Sequence, residues 1–188
     1  MMGFNNIIGH EEIIGHLKNA IESGKISHSY IFTGEPGSGK KLLAGTFAST
    51  LQCEAGGTEP CQKCDSCKKA MGKNHPDIIM VSHEKPGTIT IDEIRDQVIN
   101  DIDIRPYYSP YKIYIIADAD LMTPQAQNAL LKTIEEPPEY AVILFLTNTL
   151  DVLLQTVRSR CIIMNLRSVD TKLIQQYLMQ KYQLPDYQ

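Results

Sequence analysis

The sequence predicts an α/β fold: a doubly wound three-layer sandwich in which helices cover both faces of a parallel five-stranded sheet. First, short apolar runs alternate along the chain with amphipathic helical patterns. Second, these runs are almost continuously hydrophobic, as in strands that are buried on both faces. Third, a glycine-rich loop joins the first run to a helix, in the strand–loop–helix order of a right-handed crossover.

Each element rests on its own pattern. The predicted strands are the apolar runs 29–34, 77–82, 112–117, 141–147 and 161–166. The predicted helices cover 11–23, 40–52, a segment opening at Thr90, 125–136 and 169–182. Gly24 ends the first helix, and Thr90 with Glu93 forms a capping box for the third. Thr123 and Pro124 provide the N-cap and first position of the fourth helix.

Composition excludes several classes of protein. The chain has 188 residues, enough for one α/β domain and the start of another, and its net charge of −4 argues against a surface coated with nucleic acid. The net charge does not exclude a local basic patch on the surface. The opening residues lack a basic and an apolar region, so no export signal is predicted. The longest apolar run, 141–146, is strand-sized, so we expect a cytoplasmic protein with reduced thiols and no contact with a membrane.

The glycine-rich loop "GEPGSGKK" has the spacing of a phosphate-binding P-loop. Its candidate anion-binding residues are Gly34, Gly37, Ser38, Gly39, Lys40 and Lys41. A working P-loop continues from its lysine to a Ser or Thr whose hydroxyl is a ligand of Mg²⁺. Lys41 stands at that position, and an ammonium group has no lone pair for a metal. The loop therefore predicts anion binding without Mg²⁺-assisted hydrolysis.

A second defect is predicted at the end of the third strand, in "IYIIADAD". A Walker-B strand ends in an Asp that holds the metal and a Glu that activates water. In register with the strand, these positions fall on Ala117 and Asp118. A shift of one residue puts them on Asp118 and Ala119. Either register leaves the pair incomplete, which indicates a hydrolase site that has lost its activity.

Four of the five cysteines are grouped at Cys53, Cys61, Cys64 and Cys67. Paired x₂ spacings in a reducing compartment are typical of a closed, tetrahedral structural Zn²⁺ site. Free thiols, or a site in which His75 replaces one cysteine, are the alternatives. His75 itself is interpreted as part of a polar turn, and Cys161 as a small core residue. Arg158 and Arg160, just before the fifth strand, are a surface pair as far as the residues alone indicate.

Taken in order, "GEPGSGKK", the four cysteines, "NHPD", "NALLKTIEEPP", "LFLTN" and "RSRC" resemble the bacterial clamp-loader AAA+ subunits, the gamma/tau and delta-prime chains of DNA polymerase III. The resemblance runs from Ile7 to the end of the sequence. It implies an AAA+ P-loop domain over 1–166, with a zinc module inserted at 53–67. It also implies that 167–188 is the first helix of a truncated helical lid domain, so that the chain is an N-terminal fragment.

The resemblance also assigns roles to residues. Arg160 falls on the arginine of "SRC", which acts as an arginine finger on ATP in the adjacent subunit. Asn148, with Thr147, falls on the sensor-1 position, and the four cysteines fall on the zinc module. Because Lys41 and Ala117 depart from the gamma/tau pattern, the resemblance favours the delta-prime type, a stator that does not hydrolyse ATP. The implied partners are gamma/tau and delta subunits, with the sliding clamp and primed DNA reached through the complex.

Two other functions stay open at this point. An active gamma/tau-type ATPase is disfavoured by Lys41 and Ala117. A zinc-bearing module that binds DNA by itself is disfavoured by the acidic net charge. ATP or ADP binding, if retained, is expected to be weak.

Overall fold

The computed structural model describes residues 3–84 and 86–182. Its five strands form one sheet in the order β2-β3-β4-β1-β5, and all neighbouring pairs are parallel. The strands are β1 Ser29–Thr33, β2 Ile78–Val81, β3 Lys112–Ile116, β4 Ala141–Thr147 and β5 Ile162–Asn165. The predicted parallel five-stranded sheet is therefore confirmed, with strand ends that differ from the predicted ones by at most one residue.

Seven α-helical segments accompany these strands in the described residues. They are α1 Glu11–Glu22, α2 Lys40–Leu51, α3 Asp65–Met71, α4 Ile91–Ile94, α5 Pro124–Glu135, α6 Gln155–Arg158 and α7 Thr171–Tyr182. Short 3₁₀ turns cover Phe4–Asn6, Ala119–Leu121 and Leu150–Val152. The helix predicted for 169–182 begins two residues later, and 183–188 of the predicted lid segment lie outside the described residues. None of the described helices is both long and apolar enough to cross a membrane.

Two hydrophobic cores lie on opposite faces of the sheet. On β1, Tyr30 and Phe32 join the core that contains Phe47 of α2, whereas Ile31 joins the core that contains Leu130 of α5. All three central strands are buried along their whole length, because each is flanked by two strands and covered on both faces. This arrangement explains their continuous apolar sequences.

The helix predicted to open at Thr90 has a different form in its second half. The predicted capping box is present, with Thr90 N donating to Glu93 Oε2 at 2.6 Å and Glu93 N to Thr90 Oγ1 at 3.4 Å. After α4, however, residues Arg95–Ile99 form a π-helical turn. The buried residues Ile94, Val98 and Ile102 recur every four positions, a spacing that drifts around a regular α-helix. The wider π turn reduces this drift and keeps the apolar stripe on the sheet.

The strand order brings three segments of sequence together at the carboxyl edge of the sheet. β1, which precedes the P-loop, lies beside β4, which in turn lies beside β3. Residues that follow these three strands therefore meet at one edge, where ligands bind in open α/β sheets.

Candidate functional site

The P-loop connects β1 directly to the first turn of α2. Gly39 is the N-cap of α2 and has a φ of 93°, a conformation that favours glycine. A side chain at Gly34 would collide with the carbonyl oxygen of Leu166, which follows β5. Gly37 is exposed and Ser38 is half-buried, with the Ser38 carbonyl 3.0 Å from His10 Nε2. The loop thus has the glycine-dependent backbone of an anion-binding turn at a helix N-terminus.

Lys40 is buried, and its ammonium group is held by the protein itself. Its Nζ donates to Gly34 O at 2.6 Å, to Glu35 O at 2.9 Å and to Asn148 Oδ1 at 3.0 Å. An ammonium group has three N–H donors, so all three are engaged. Burial lowers the pKa of Lys40, and the nearby Asp120 carboxylate opposes this shift. A phosphate group must therefore displace at least one protein acceptor to bind Lys40.

Lys41 lies beside the acid that follows β3. Its Nζ is 3.6 Å from Asp118 Oδ1, and the two side chains are 67% and 43% exposed. The other oxygen of Asp118 is 3.9 Å from His83 Nε2. Where P-loop NTPases present a hydroxyl and a carboxylate to Mg²⁺, this chain presents an ammonium group paired with a carboxylate. Ala117, between Ile116 of β3 and Asp118, offers no ligand.

Asn148 reaches the P-loop from the end of β4. Its amide nitrogen donates to Asp120 Oδ2 at 3.4 Å, while its oxygen accepts from Lys40. Thr147 is fully buried, and its hydroxyl donates to Thr149 O at 2.9 Å, so it shapes the turn that presents Asn148. Asp120 belongs to the "ADAD" run in which the Walker-B acids are predicted, but the sequence motif gives it no role.

The four grouped cysteines converge on one point. The sulfur atoms of Cys53, Cys61, Cys64 and Cys67 all lie within 4.8 Å of one another. The Sγ atoms of Cys61 and Cys67 are 4.0 Å apart. A tetrahedral site with Zn–S bonds of about 2.3 Å requires sulfur separations of about 3.8 Å. The cluster therefore fits a closed four-thiolate metal site, and His75 is not one of the grouped residues.

Backbone N–H groups also donate to the sulfur atoms of the cluster, which favours the thiolate form that binds a cation. Cys61 Sγ accepts from Lys63 N at 3.5 Å and from Cys64 N at 3.3 Å. These bonds lower the pKa of Cys61 to about 6, whereas burial raises the pKa of Cys67. A bound cation would favour the thiolate form of both. These four residues would hold such an ion and leave no open coordination position for catalysis.

His75 opens the predicted polar turn, because its carbonyl oxygen accepts from Ile78 N at 3.2 Å, and its buried side chain also links two parts of the fold. Its Nδ1 accepts from Asp77 N at 3.1 Å, so its Nε2 donates to Ser66 Oγ at 2.9 Å. The Asp77 carboxylate in turn accepts from Tyr107 N and Tyr108 N, both at 2.7 Å. Since Ser66 lies on α3 between two cysteines, this network ties the cysteine module to β2. Burial lowers the pKa of His75, which keeps the ring neutral.

Arg160 lies on the surface in the turn between α6 and β5. Its Nη2 is 2.7 Å from Glu135 Oε1 at the end of α5. Its Nη1 donates to Thr156 O at 2.8 Å and to Ser159 Oγ at 3.2 Å. Among the described residues it makes no hydrogen bond or ion pair with the P-loop, and its side chain is 38% exposed. The sequence assigns no role to Glu135, which lies in "NALLKTIEEPP", but the structure places it beside this candidate residue.

Arg158 is placed differently from Arg160. Its Nη1 donates to Asp151 Oδ1 at 2.6 Å, and its buried Nε has no hydrogen-bond partner within residues 3–84 and 86–182. Cys161, which follows the arginine pair, packs against the core beneath β5. Burial raises the pKa of its thiol to about 12, consistent with its predicted place as a core residue.

Comparisons with known proteins agree with this geometry. The chain matches the family described as DNA polymerase III, delta subunit, over residues 9–170. It is 36% identical over 159 residues to DNA polymerase III subunit tau of Bacillus subtilis, a match that covers 84% of this chain and 28% of that protein. It is 35% identical over 166 residues to subunit delta′ of the same organism, covering 88% of this chain and 50% of that protein. The chain therefore spans half or less of these curated relatives.

A solved structure confirms the fold class. The gamma subunit-related protein of Thermotoga maritima superposes with a TM-score of 0.61 at 27% identity, over 89% of this chain and 49% of that protein. The predicted AAA+ P-loop α/β sandwich is therefore correct. The tau and delta′ relatives are equally similar to this chain, so overall identity does not distinguish the two types. The chain belongs to the DNA polymerase III delta subunit family of clamp-loader proteins.

Proposed function

We propose that this chain is a delta-prime-type stator of the bacterial clamp loader in DNA polymerase III holoenzyme. In this role it helps the ATP-driven loading of the sliding clamp onto primed DNA but does not hydrolyse ATP itself. Instead, Arg160 acts as an arginine finger on ATP bound by an adjacent subunit. The observation that carries the proposal is the pair of Lys41 and Asp118, whose Nζ and Oδ1 atoms are 3.6 Å apart.

This ion pair argues against a working Mg²⁺ site. The metal in a P-loop NTPase needs the oxygen ligands of a hydroxyl and an acid. Lys41 contributes a positive charge in place of the hydroxyl, and it offsets the charge of Asp118. A divalent cation would be repelled by the ammonium group and would lack a ligand from Ala117. Without the metal, charge developing on the β- and γ-phosphates is not stabilised, so hydrolysis is not expected.

The retained P-loop is compatible with weak, metal-independent binding of ATP or ADP. The helix N-terminus and two lysines favour an anion. Lys40, however, is already engaged by three protein acceptors, so nucleotide binding must break at least one of these bonds. Lys41 is the better placed of the two to offset phosphate charge, because it is exposed.

The position of Arg160 supports a role in trans. Its guanidinium group is partly exposed and makes no hydrogen bond or ion pair with the P-loop of its own chain in the described residues. Arginine suits the task because it stays charged and presents a planar set of donors to phosphate oxygens. The relatives are named as tau and delta′ subunits of DNA polymerase III, which supports gamma/tau and delta subunits as partners. Contact with the clamp and DNA would then occur through the assembled complex.

The second candidate is an active gamma/tau-type ATPase, which the 36% identity to a tau subunit favours. Measuring ATP turnover by the protein in its natural full length, with Mg²⁺ and without other subunits, separates the two candidates. The stator gives no turnover above background. Turnover in the range of about 1–10³ s⁻¹ that is typical of enzymes would establish the second candidate instead.

The role of Arg160 is tested in a reconstituted loader. Arg160→Ala should leave assembly and zinc content unchanged, but it should depress the ATPase activity that clamp and DNA stimulate. Arginine fingers contribute about 10³–10⁵ in rate at the site they serve. Because a loader with several ATP sites retains the others, bulk turnover should fall partially and clamp loading more sharply. Arg158→Ala is the matched control, and wild-type behaviour of Arg160→Ala would refute the role in trans.

A further inference from the structure

The contact between Glu135 and Arg160 joins two sequence motifs that are remote from each other along the chain. Glu135 belongs to "NALLKTIEEPP" at the end of α5, and Arg160 to "RSRC" before β5. Their Oε1 and Nη2 atoms are 2.7 Å apart. The carbonyl of Thr156 and the hydroxyl of Ser159 hold the other terminal nitrogen, Nη1, at 2.8 and 3.2 Å. The guanidinium group is therefore fixed on two sides by its own chain.

The remaining donors of Arg160 are available to a ligand. A guanidinium group has five N–H bonds. Two on Nη1 and one on Nη2 are used by these contacts, whereas Nε–H and the second N–H of Nη2 have no acceptor among the described residues. The side chain is 38% exposed, so a phosphate outside the chain can approach the guanidinium group. The guanidinium group is thus held in place by its own chain and still has donors for a further ligand.

We infer that Glu135 is a positioning residue for Arg160. Its carboxylate holds the guanidinium group in the orientation in which the two free N–H donors face a phosphate of ATP in the neighbouring subunit. An unanchored arginine samples many rotamers, and a misplacement of about 1 Å can reduce a rate by about 10²-fold. This inference rests on the proposed function of Arg160 in trans.

A stability measurement cannot test the inference, since exposed ion pairs contribute little to stability. Glu136 provides a matched control for a catalytic measurement. It has the same charge, follows Glu135 directly and is also exposed, but its side chain makes no ion pair or hydrogen bond within the described residues. Comparing these two residues separates an effect on Arg160 from a general effect of surface charge.

The experiment uses the protein in its natural full length, assembled with gamma/tau and delta subunits of the same source. ATP turnover and loading of the clamp onto primed DNA are measured for Glu135→Ala, Glu135→Gln, Glu136→Ala, Arg160→Ala and the double variant E135A/R160A. Assembly is checked by size-exclusion chromatography and zinc content by metal analysis. Glu135→Gln retains the shape of the side chain and an oxygen acceptor for Arg160, but it removes the negative charge. If Glu135→Ala fails to assemble, Glu135→Gln still tests the role of the carboxylate.

We expect Glu135→Ala to slow clamp loading by about 10- to 100-fold. The kcat for ATP should fall partially with its KM unchanged, Glu135→Gln should be intermediate, and Glu136→Ala should behave as wild type. The double variant E135A/R160A should be no slower than Arg160→Ala, because Glu135 acts only through that arginine.

The other outcomes overturn the inference in distinguishable ways. If Arg160→Ala is impaired but Glu135→Ala is not, the role of Glu135 is wrong while the proposed function stands. If Arg160→Ala behaves as wild type, the proposed role of Arg160 in trans fails and the inference fails with it. Equal losses for Glu135→Ala and Glu136→Ala, or additive losses in the double variant, would show that Glu135 does not act through Arg160.

Discussion

The cysteine module is the segment that carries Cys53, Cys61, Cys64 and Cys67, and the P-loop pocket is formed by residues 34–41 with Asp118 and Asn148. The two differ in how many ligands each offers to a metal ion. In the module, four sulfur atoms lie within 4.8 Å of one another, and N–H groups point at them. In the pocket, the glycine-rich turn and Lys40 are present, but Lys41 stands in place of a metal-binding hydroxyl and pairs with Asp118. One region offers four sulfur ligands to a metal, whereas the other offers a glycine-rich backbone and a carboxylate that is paired with Lys41.

This difference indicates which parts of the fold are needed for structure. The turn at Gly34 also packs closely against Leu166, and Lys40 joins the loop to Asn148 at the end of β4. Removing the loop would therefore disturb the edge of the sheet even in a chain that hydrolyses nothing. The four cysteines, in contrast, have their structural role only as a complete set, because each missing sulfur leaves the coordination of the ion incomplete.

The largest expected effect comes from breaking the module. We predict one tightly bound Zn²⁺ per chain and its loss in Cys64→Ser. Because structural zinc sites gain about 10–16 kcal/mol from the metal in small zinc peptides, loss of the ion should locally unfold the inserted segment. Metal analysis, with hydrogen exchange of residues 53–71, measures both effects.

Cys161→Ser is the control for this variant, since that cysteine lies outside the cluster. It should retain the zinc and the protection of the module. Clearly less than one equivalent of zinc in wild-type protein purified without chelator would contradict the prediction, and so would full zinc content in Cys64→Ser.

The comparison also shows which features a sequence can reveal. The sheet, the P-loop and the cysteine cluster arise from local patterns, so periodicity and spacing predicted them. The bonds of Lys40 to Asn148 and of Arg160 to Glu135 join residues that only the strand order or a crossover brings together. The bond of His75 to Ser66 spans only nine residues, but it depends on how the chain turns back after α3. The π turn at 95–99 was missed because a stripe with a four-residue period is compatible with either helix type.

A smaller effect is expected for the bridge between the module and the sheet. His75→Ala removes the acceptor for Asp77 N and the donor to Ser66, and a buried group left without a partner costs about 1–3 kcal/mol. The free energy of unfolding, measured by urea denaturation with zinc in excess, should fall by this amount. His16→Ala, at an exposed position on α1, should leave it unchanged.

The effect of His75 should also depend on pH. Burial lowers the pKa of His75 below its ordinary value of about 6.5, so the unfolded chain binds more protons than the folded one below that pH. Wild-type stability therefore falls as the pH decreases through about 6.5, and His75→Ala lacks this contribution. The stability difference between the two proteins should be larger at neutral pH than at mildly acidic pH. A difference that grows on acidification would contradict the neutral, buried histidine.

In the P-loop pocket, the expected effect of the metal is close to zero. Binding of ADP or ATP, measured by calorimetry, should change by less than about threefold, roughly 0.7 kcal/mol, when Mg²⁺ is added. The physical reason is that Lys41 leaves the cation without a hydroxyl ligand and repels it. A gamma/tau subunit of the same source is the positive control. Binding that tightens strongly with Mg²⁺ would mean that the pocket still holds a metal.

The smallest effect is expected for Lys41→Thr, which returns the hydroxyl without its partner. Since the ion pair with Asp118 is exposed, its loss should change the free energy of unfolding by no more than about 0.5 kcal/mol. No ATP turnover should appear, because Ala117 still offers the metal no ligand. The double variant Lys41→Thr/Ala117→Asp is the informative comparison: Mg²⁺-dependent nucleotide binding should appear there and not in the single variant. Turnover by Lys41→Thr alone would contradict this prediction. It would show that Lys41 is the one residue that prevents hydrolysis, and that the residues after β3 can still hold the metal.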